Sequence, residues 1–428
     1  MVPDLMRAFS STFSAETRTV KTVDNGLMVE LSGGSLPDQA SFKIGPSTSA
    51  DGIATLLDGG AEVALSDRRA LTREVRAAGE LDLGDLQSRT QEQIIALDGL
   101  VFVTHPRNPI RAVSQGDAAV IFAGLITNWS EVGGSNAPIN LYVSTADGGA
   151  TEMFQALVMR PAGLTIQQNA KVLGSDRLVA EAVAADPNGI GYTRFSGTGA
   201  ARPLAIRGDC GIQTQPSDFA IKTEEYPLTR LLYMYLTNKD ISPITNQLIT
   251  FLGTDLAQAT VTSSGFIDQS ISSASIDQQG LRLASAMMMA SDADAQRELR
   301  EMMDSLLSAE RLSATFRYQT GTPDLNARAQ ADLDRLAAAL SSGRFEGKEV
   351  LFLGFTDSIG DAELNRQLSQ QRAEEVIEIL VTAYPDLANK VRLTAVGYGE
   401  LSPLACNELD GGRAINRRIE VWVRDYVR

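Results

Sequence analysis

The sequence predicts an α/β fold that is divided among more than one domain. Short apolar segments typical of buried strands alternate with segments that carry apolar residues at helical spacing. Several junctions from strand to helix are loops rich in Ser, Thr and Gly, which is where α/β folds place their ligand sites. A chain of 428 residues is also too long for one ordinary core, so we expect two to three domains.

The composition restricts the class of protein. A content of 43% hydrophobic and 21% charged residues is typical of a globular protein. The net charge of −15 argues against nucleic acid and anionic membrane surfaces as partners. The most apolar run, 281–290, is too short to cross a membrane, which takes about 20 apolar residues.

Histidine and cysteine are scarce, which bears on catalysis and metal binding. His105 is the only histidine, and the two cysteines are Cys210 and Cys406. We therefore predict no metal site, no cofactor and no Ser–His catalytic pair. The two cysteines can form one disulfide or remain as two partly buried thiols, and their spacing does not decide between these.

The first segments lead to a loop suited to an anion. We predict a helix over 2–12, and later a strand over 42–45 that runs into a hydroxyl-rich loop, 46–52, before a helix over 53–57. Such a junction directs backbone N–H groups and hydroxyls at whatever precedes the helix, which favours an anion. Ser and Asp also serve simply as helix N-caps, so both interpretations stay open here.

The alternation of strands and helices continues after this loop. A long apolar run, 94–103, is interrupted by Asp98 and Gly99, which suits a strand passing between two lobes. The next predicted elements are a helix around 115–123, a strand over 139–143, a small-residue loop over 146–151 that opens a helix, and a helix ending at 185.

Several phrases of this region resemble the PstS-type phosphate-binding proteins of ABC importers, over about residues 1–272. The matches are I-F-A-G at 121–124, T-N-W-S-E-V-G-G at 127–134, D-P-N-G-I-G-Y at 186–192, L-D-G-G-A at 57–61, S-D-R at 66–68 and L-D-G-L at 97–100. The resemblance implies a two-lobed type II periplasmic binding protein fold that closes on its ligand by a hinge. Lobe 1 would comprise about 1–100 and 195–272, and lobe 2 about 101–194.

The resemblance also implies a ligand and the residues that bind it. The ligand would be phosphate or a similar small oxyanion, and an ABC importer would be a partner. The implied ligand-binding residues are Ser47, Thr48, Ser49, Asp67, Gly149, Ala150 and Thr151. Thr145 stands where the family has an Arg, which removes its strongest charge-assisted contact to an oxyanion. A different ligand, or lobes that have lost their ligand, is therefore the alternative.

The remaining third of the chain changes character twice. Residues 273–310 are rich in Ser, Ala, Gln, Met and charged residues, and we interpret them as a partly ordered connector. The following segment, 311–428, is predicted to form an α+β unit of the order β-α-β-α-β-β. Its predicted elements are strands at 312–318, Val350, Val391 and Ile419, and helices over 327–340 and 362–382.

One stretch of this unit holds an acid near a base. Asp357 follows the strand over 349–353, just before the helix over 362–382, and Arg372 lies on that helix. Arg offers a two-pronged fork to a carboxylate and Asp accepts from an ammonium, so the pair suits a zwitterionic ligand. The alternative is an Asp that caps the helix and an Arg in a surface ion pair.

The run G-F-T-D-S-I-G at 354–360 with N-x-x-L-S-x-x-R at 365–372 resembles the OmpA-like peptidoglycan-binding domain, over about 311–428. Further matches are G-Y-G at 397–399, Pro403, Asn407, G-R at 412–413 and N-R-R-I-E at 416–420. The resemblance implies that Asp357 and Arg372 bind the diaminopimelate of the peptidoglycan stem peptide. Thr356, Asn365 and Arg418 would support the site. Phe355 stands where the family usually has His, which this ligand contact does not need.

Together these patterns predict a non-enzymatic periplasmic solute-binding protein that is tethered non-covalently to peptidoglycan. We expect it in the periplasm, associated with the cell wall, with attachment to the outer membrane as a further expectation. No export signal is visible at the N-terminus, yet a cell-wall-binding domain would have no ligand in the cytosol. We therefore expect that a signal was removed, or that the sequence is that of a mature or trimmed chain. The alternative is a structural envelope protein whose binding lobes have lost their ligand and serve as an interaction surface.

Overall fold

The computed structural model describes residues 1–22, 26–36, 39–45, 48–145, 149–290, 293–318, 325 and 327–426. Its helices are α1 (Val2–Ser11), α2 (Ser49–Leu57), α3 (Thr72–Glu80), α4 (Gln115–Phe122), α5 (Gly149–Phe154), α6 (Asp176–Ala185), α7 (Asp218–Lys222), α8 (Pro243–Leu252), α9 (Asp255–Ser263), α10 (Gly280–Met289), α11 (Ala293–Leu306), α12 (Ala327–Ser341), α13 (Ala362–Ala383) and α14 (Asp410–Asn416). Its strands are β1 (Glu16–Lys21), β2 (Leu27–Ser32), β3 (Ala40–Ile44), β4 (Ala64–Ser66), β5 (Glu92–Thr104), β6 (Ala112–Val113), β7 (Asn140–Ser144), β8 (Lys171–Leu173), β9 (Gly189–Arg194), β10 (Arg202–Pro203), β11 (Ala205–Arg207), β12 (Gln213–Thr214), β13 (Thr229–Tyr235), β14 (Ser273–Ser275), β15 (Glu310–Phe316), β16 (Lys348–Phe355), β17 (Arg392–Gly397) and β18 (Arg418–Asp425).

The chain forms two compact units whose boundaries differ from the predicted lobes. Unit 1 comprises Met1–Asp98 and Arg230–Ser270, and unit 2 comprises Gly99–Thr229 and Ile271–Arg428. The chain leaves unit 1 inside strand β5, at the Asp98–Gly99 interruption that the sequence singled out. Unit 2 therefore contains the whole C-terminal segment together with Gly99–Thr229, which we call the second-lobe region. This region is larger than the predicted lobe 2, because residues 195–229 were predicted to belong to lobe 1.

Unit 1 is built from an antiparallel meander and a helical layer. Strands β1, β2 and β3 pair in that order, and β4 pairs antiparallel with β13. In β2, Val29 and Leu31 are buried because alternate residues of a strand face the same side. They form one core with Leu5 and Phe9 of α1 and with residues of α9. Helix α2, whose N-terminus belongs to the predicted anion loop, packs through Ile53 in a second core.

The second-lobe part of unit 2 is an α/β layer. From Leu100 onward β5 pairs antiparallel with β9, which pairs parallel with β7, and β7 pairs parallel with β8. Four buried aromatic rings, of Phe102, Phe122, Phe154 and Tyr192, contact one another, with the last two stacked at 4.3 Å between centroids. The predicted alternation of strands and helices is confirmed here.

The C-terminal part is a sheet of order β14-β15-β18-β16-β17 with helices on both faces. Only the pairing of β16 with β17 is parallel among the described strands of this sheet. Along β16, Val350 and Phe352 face the core that contains α12 and α13, whereas Leu351 and Leu353 face α10 and α11. The predicted β-α-β-α-β-β order is confirmed, with the short helix α14 added before β18.

The segment predicted as a partly ordered connector, 273–310, is instead part of this C-terminal fold. Strand β14 extends the sheet, and α10 and α11 bury Leu283, Leu299 and Met302 against Leu351 and Trp422. The Ser-, Ala- and charge-rich composition reflects the opposite, exposed sides of these helices. On α11, for example, the side chains of Asp294 and Arg297 are 77% and 60% exposed.

Candidate functional site

The C-terminal site begins where β16 ends. Asp357 follows this strand and is only 8% exposed. One of its carboxylate oxygens accepts from the backbone N–H of Ile359 at 3.0 Å, and the other accepts from Nη1 of Arg417 at 2.6 Å. Asp361, not Asp357, caps helix α13. A carboxylate has about four acceptor positions, so Asp357 retains capacity for an ammonium donor.

Arg372 is half-buried on helix α13 beside this carboxylate. Its guanidinium covers the ring of Tyr318 at 5.1 Å, and the Tyr318 hydroxyl donates to its backbone carbonyl at 2.8 Å. Burial lowers the pKa of Arg372, and the charge of Arg417 lowers it further, although Tyr318, Glu375 and Asp357 act in the opposite direction. The described part of the chain places no carboxylate within ion-pair distance of this guanidinium. A half-buried guanidinium without a carboxylate partner among the described residues favours an anionic ligand.

The predicted supporting residues contact the backbone around Asp357. The backbone N–H of Thr356 donates to Gly399 O at 2.7 Å, and its buried hydroxyl has no hydrogen-bond partner among the described residues. The Asn365 amide donates to the carbonyls of Asp357 and Ile359 at 3.4 and 3.2 Å. These bonds hold the turn that carries the carboxylate.

Arg418 acts from behind the site. It is 1% exposed, and its nitrogens donate to Glu420, Asn416 O and Ser402 O. Its guanidinium also lies 4.1 Å from the ring centroid of Phe355. Its contribution is therefore to support the strand end. The cation that contacts Asp357 is the preceding residue, Arg417, which lies between α14 and β18 and was not predicted as a site residue.

Helix α13 can approach the sheet only because two strand positions lack a side chain. A Cβ at Gly354 would lie 2.0 Å from the carbonyl oxygen of Ser369, and one at Gly397 would lie 2.5 Å from Arg366 O. Both contacts are with helix backbone, which cannot rotate away. The sequence run from Gly354 to Arg372 therefore positions the helix as well as the charged groups.

We expect Gly354→Ala to destabilise unit 2 by about 1–3 kcal/mol, because α13 must shift away from β16. Chemical denaturation followed by circular dichroism measures the change. Gly280→Ala is the matched control, since a Cβ at that helix terminus meets nothing within 4 Å. Equal stability of the two variants would show that α13 does not depend on this close approach.

The predicted first-lobe ligand residues lie together in unit 1. The Thr48 side chain caps α2 by accepting from Asp51 N at 3.2 Å. Ser49 Oγ donates to one oxygen of Asp67, whose backbone N–H donates back to Ser49 Oγ at 3.0 Å. Ser47, also predicted to bind the ligand, lies outside the described residues.

Arg230 joins this cluster and was not selected from the sequence. Its Nη1 donates to Asp67 at 3.0 Å, and its side chain is 13% exposed. Its Nε is buried and has no hydrogen-bond partner within the described ranges. Arg230 lies 163 residues from Asp67 along the chain, so no local motif could have indicated the contact.

The predicted second-lobe ligand residues lie in unit 2, and two of the three are buried. Gly149 is exposed, but Ala150 and Thr151 are buried. Thr151 Oγ1 lies 2.9 Å from Ser144 Oγ and 3.0 Å from the Tyr192 hydroxyl. Burial raises the pKa of Tyr192 to about 12, so this hydroxyl stays protonated. The Thr151 hydroxyl is thus occupied by protein partners.

The cysteine question is decided by the structure. Cys210 and Cys406 form a disulfide within unit 2, which joins the second-lobe region to the C-terminal part. His105 is buried, and its Nδ1 accepts from the backbone N–H of Arg107 at 3.1 Å. No helix in the described ranges combines the length and the apolar character needed to cross a membrane.

Comparison with known families identifies both parts of the chain. The model described as "PBP superfamily domain" matches residues 19–255, and the model described as "OmpA family" matches residues 317–417. The first match covers more than half of the chain, so the protein belongs to the PBP superfamily. It carries in addition a C-terminal OmpA domain. The predicted combination of a PstS-like binding domain with an OmpA-like domain is confirmed.

Individual relatives match one part or the other. "Phosphate-binding protein PstS" of Borreliella burgdorferi is 27% identical over 196 residues, which are 44% of this chain and 69% of that protein. "Outer membrane porin F" of Pseudomonas fluorescens is 45% identical over 80 residues, 19% of this chain and 24% of the porin. The chain thus spans only about a quarter of the porin's length. An "ABC-type phosphate transport receptor from Vibrio cholerae" has a TM-score of 0.43 and 21% identity, covering 51% of this chain and 84% of the receptor.

Proposed function

We propose that this protein is a non-enzymatic, periplasmic solute-binding protein whose OmpA domain tethers it non-covalently to peptidoglycan. The observation that carries the tether is the half-buried Arg372, which has no carboxylate partner within the described ranges, beside the buried carboxylate of Asp357. In this proposal the protein is located at the cell wall. Attachment to the outer membrane and binding to an ABC importer are two further parts of the proposal that remain to be tested.

The ligand of the tether is the diaminopimelate of the stem peptide. Its free end carries a carboxylate and an ammonium on one carbon, so it needs one cation and one anion held side by side. Arg372 binds the carboxylate and Asp357 accepts from the ammonium. Arg417 already neutralises part of Asp357, and the two arginines and one aspartate leave a net positive charge that favours the ligand's carboxylate.

For the N-terminal lobes we propose phosphate or a similar small oxyanion. The support lies in unit 1, where the Ser49 hydroxyl, the N-terminus of α2 and the Arg230 guanidinium converge around Asp67. Arg230 provides a cation that position 145 lacks, and the Asp67 carboxylate can accept a hydrogen bond from the P–OH group of a hydrogen phosphate. Gly149, Ala150 and Thr151 remain the proposed second-lobe residues.

Arg230→Ala is expected to weaken phosphate binding at least tenfold in isothermal calorimetry, because it removes a charge-assisted donor and leaves Asp67 to repel the anion. Arg230→Lys should retain part of the affinity. The control is Arg18→Ala, which removes the same charge from an exposed pair with Glu30 in the same unit. Unchanged affinity of Arg230→Ala would remove this residue from the ligand site.

A structural role for the N-terminal lobes is the second candidate, and two observations favour it. Position 145 has no Arg, and the hydroxyl of Thr151 is occupied by Ser144 and Tyr192. Calorimetry of the intact chain with phosphate separates the two candidates. Absence of heat, with cosedimentation with sacculi retained, would leave the tether and support the structural role.

We propose that the protein is not an enzyme because its cysteine and histidine side chains are already bonded within the protein. The two cysteines are tied in a disulfide, and the Nδ1 of His105 already accepts a backbone hydrogen bond. An activated nucleophile needs a free thiol or hydroxyl beside a general base.

A further inference from the structure

The segment 402–409 forms one side of the proposed peptidoglycan site. Asn407 Oδ1 accepts from the backbone N–H of Ser358 at 3.4 Å, directly after Asp357. The buried Asn416 amide holds the same segment, with its oxygen accepting from Leu404 N at 2.7 Å and its nitrogen donating to Asn407 Oδ1 at 3.0 Å. The 404–407 backbone therefore supports, through Asn407, the turn that carries the Asp357 carboxylate, in addition to the bonds from Asn365.

This segment is fixed from outside the OmpA domain. Cys406, next to Asn407, is disulfide-bonded to Cys210 of the second-lobe region, and the Cys210 backbone N–H lies 3.1 Å from Cys406 Sγ. The packing is tight on both sides: a Cβ at Gly208 would lie 2.5 Å from Cys406 Sγ, and one at Gly412 would lie 1.9 Å from Cys406 O. Cys406 is thus held between a second-lobe loop and helix α14.

The disulfide is not the only link between these two parts of unit 2. Arg311 forms a buried ion pair with Glu225, which follows α7. Arg317 donates to Thr223 O at 2.8 Å, and Arg328 donates to Lys222 O at 2.7 Å. Breaking the disulfide should therefore leave the two parts in contact and release mainly the 404–407 backbone.

We propose that Cys210 and Cys406 are positioning residues of the peptidoglycan site. The second-lobe region, through its disulfide, pre-orders the segment that carries Asn407, and Asn407 in turn holds the turn after Asp357. This inference rests on the proposed function of the OmpA domain. The second-lobe region then contributes to peptidoglycan binding by the OmpA domain and is not merely attached to that domain. A site that is ordered before binding loses less conformational entropy when the ligand arrives.

The test compares the affinities of the oxidised chain and of a cysteine-free chain for a soluble stem peptide that contains meso-diaminopimelate. By calorimetry, we expect the Cys210→Ser/Cys406→Ser chain to bind this peptide about three- to tenfold more weakly than the oxidised chain, because ordering the segment then opposes binding. Hydrogen exchange at Ser358 should become faster. Reduction of the oxidised chain with a dithiol, which transfers two electrons and two protons to give two thiols, makes the same comparison without a substitution.

A double-mutant cycle with Asn407→Ala separates positioning from general stability. If the disulfide acts through Asn407, removing both cysteines in the Asn407→Ala background should cause no further loss of affinity. Equal affinity of the oxidised and cysteine-free chains, or the same loss in both Asn407 backgrounds, would overturn the inference. Absence of peptide binding by the oxidised chain itself would instead contradict the proposed function.

Discussion

Replacing Arg372 by alanine is expected to abolish cosedimentation of the chain with purified sacculi. The guanidinium can donate two parallel bonds to the diaminopimelate carboxylate, and charge-assisted bonds contribute about 1.5–3 kcal/mol each. Their loss corresponds to a decrease in affinity of about 100-fold or more, since about 1.4 kcal/mol is tenfold. Asp357→Ala should have the same effect, because it removes the acceptor for the ammonium and leaves Arg417 without this carboxylate.

The matched control for this experiment lies on the same helix. Arg366→Ala removes the same charge from an exposed pair with Glu363, which lies at 3.0 Å. Exposed pairs of this kind contribute little, so the control should sediment like the unaltered chain. If Arg372→Ala and Asp357→Ala also sediment normally, the proposed tether site is wrong.

Glu420→Gln is expected to lower the free energy of unfolding of unit 2 by about 3–5 kcal/mol, which is the usual cost of removing one partner from a buried ion pair. Glu420 is fully buried, and its carboxylate lies 2.9 Å from Arg282, 3.3 Å from Arg311 and 2.7 Å from Arg418. Without it, these guanidinium groups lose the anion that they share. Chemical denaturation measures the loss. Glu301→Gln, in an exposed pair with Arg297 on α11, serves as the control.

The same carboxylate makes stability depend on pH in a defined direction. Burial by itself raises the pKa of Glu420, but Arg282, Arg311 and Arg418 lower it to well below its ordinary value. A depressed pKa means that the stabilisation is complete above the ordinary glutamate pKa, about 4.3, and is lost as the pH falls toward the folded-state value. The unaltered chain should therefore lose stability below that pH, and Glu420→Gln should lose less over the same range.

The buried charges also explain why unit 2 crosses the boundary that the sequence predicted. Glu225 belongs to the second-lobe region, whereas Arg311 and Glu420 belong to the C-terminal sheet. Burial opposes ionisation of Glu225, but Arg311 and Arg282 lower its pKa, so it remains charged. Separating the two parts would expose a network that is satisfied only when they are together. Part of the PBP superfamily domain and the OmpA domain are thus joined within one compact unit.

The sequence by itself determined the elements and the spacing of the main site. Continuous apolar runs and helical spacing predicted the C-terminal strands and helices within a few residues. Burial of a strand on both faces, or of a helix on one face, dictates such patterns locally. The run from Gly354 to Arg372 brought Asp357 and Arg372 near each other, since both are placed by one strand and the helix that follows it. Residues joined through adjacent elements have little freedom in their relative positions.

Only the tertiary structure decided the contacts between residues distant in the chain. Arg230 meets Asp67, and Cys210 meets Cys406, across 163 and 196 residues respectively. The packing of the helices of 273–310 was not predicted because half of each helix surface is polar. Only the apolar sheet face that they cover, which includes Leu351 and Trp422, shows why they fold there. Such contacts depend on how separate elements pack, and no local pattern of residue types specifies that packing.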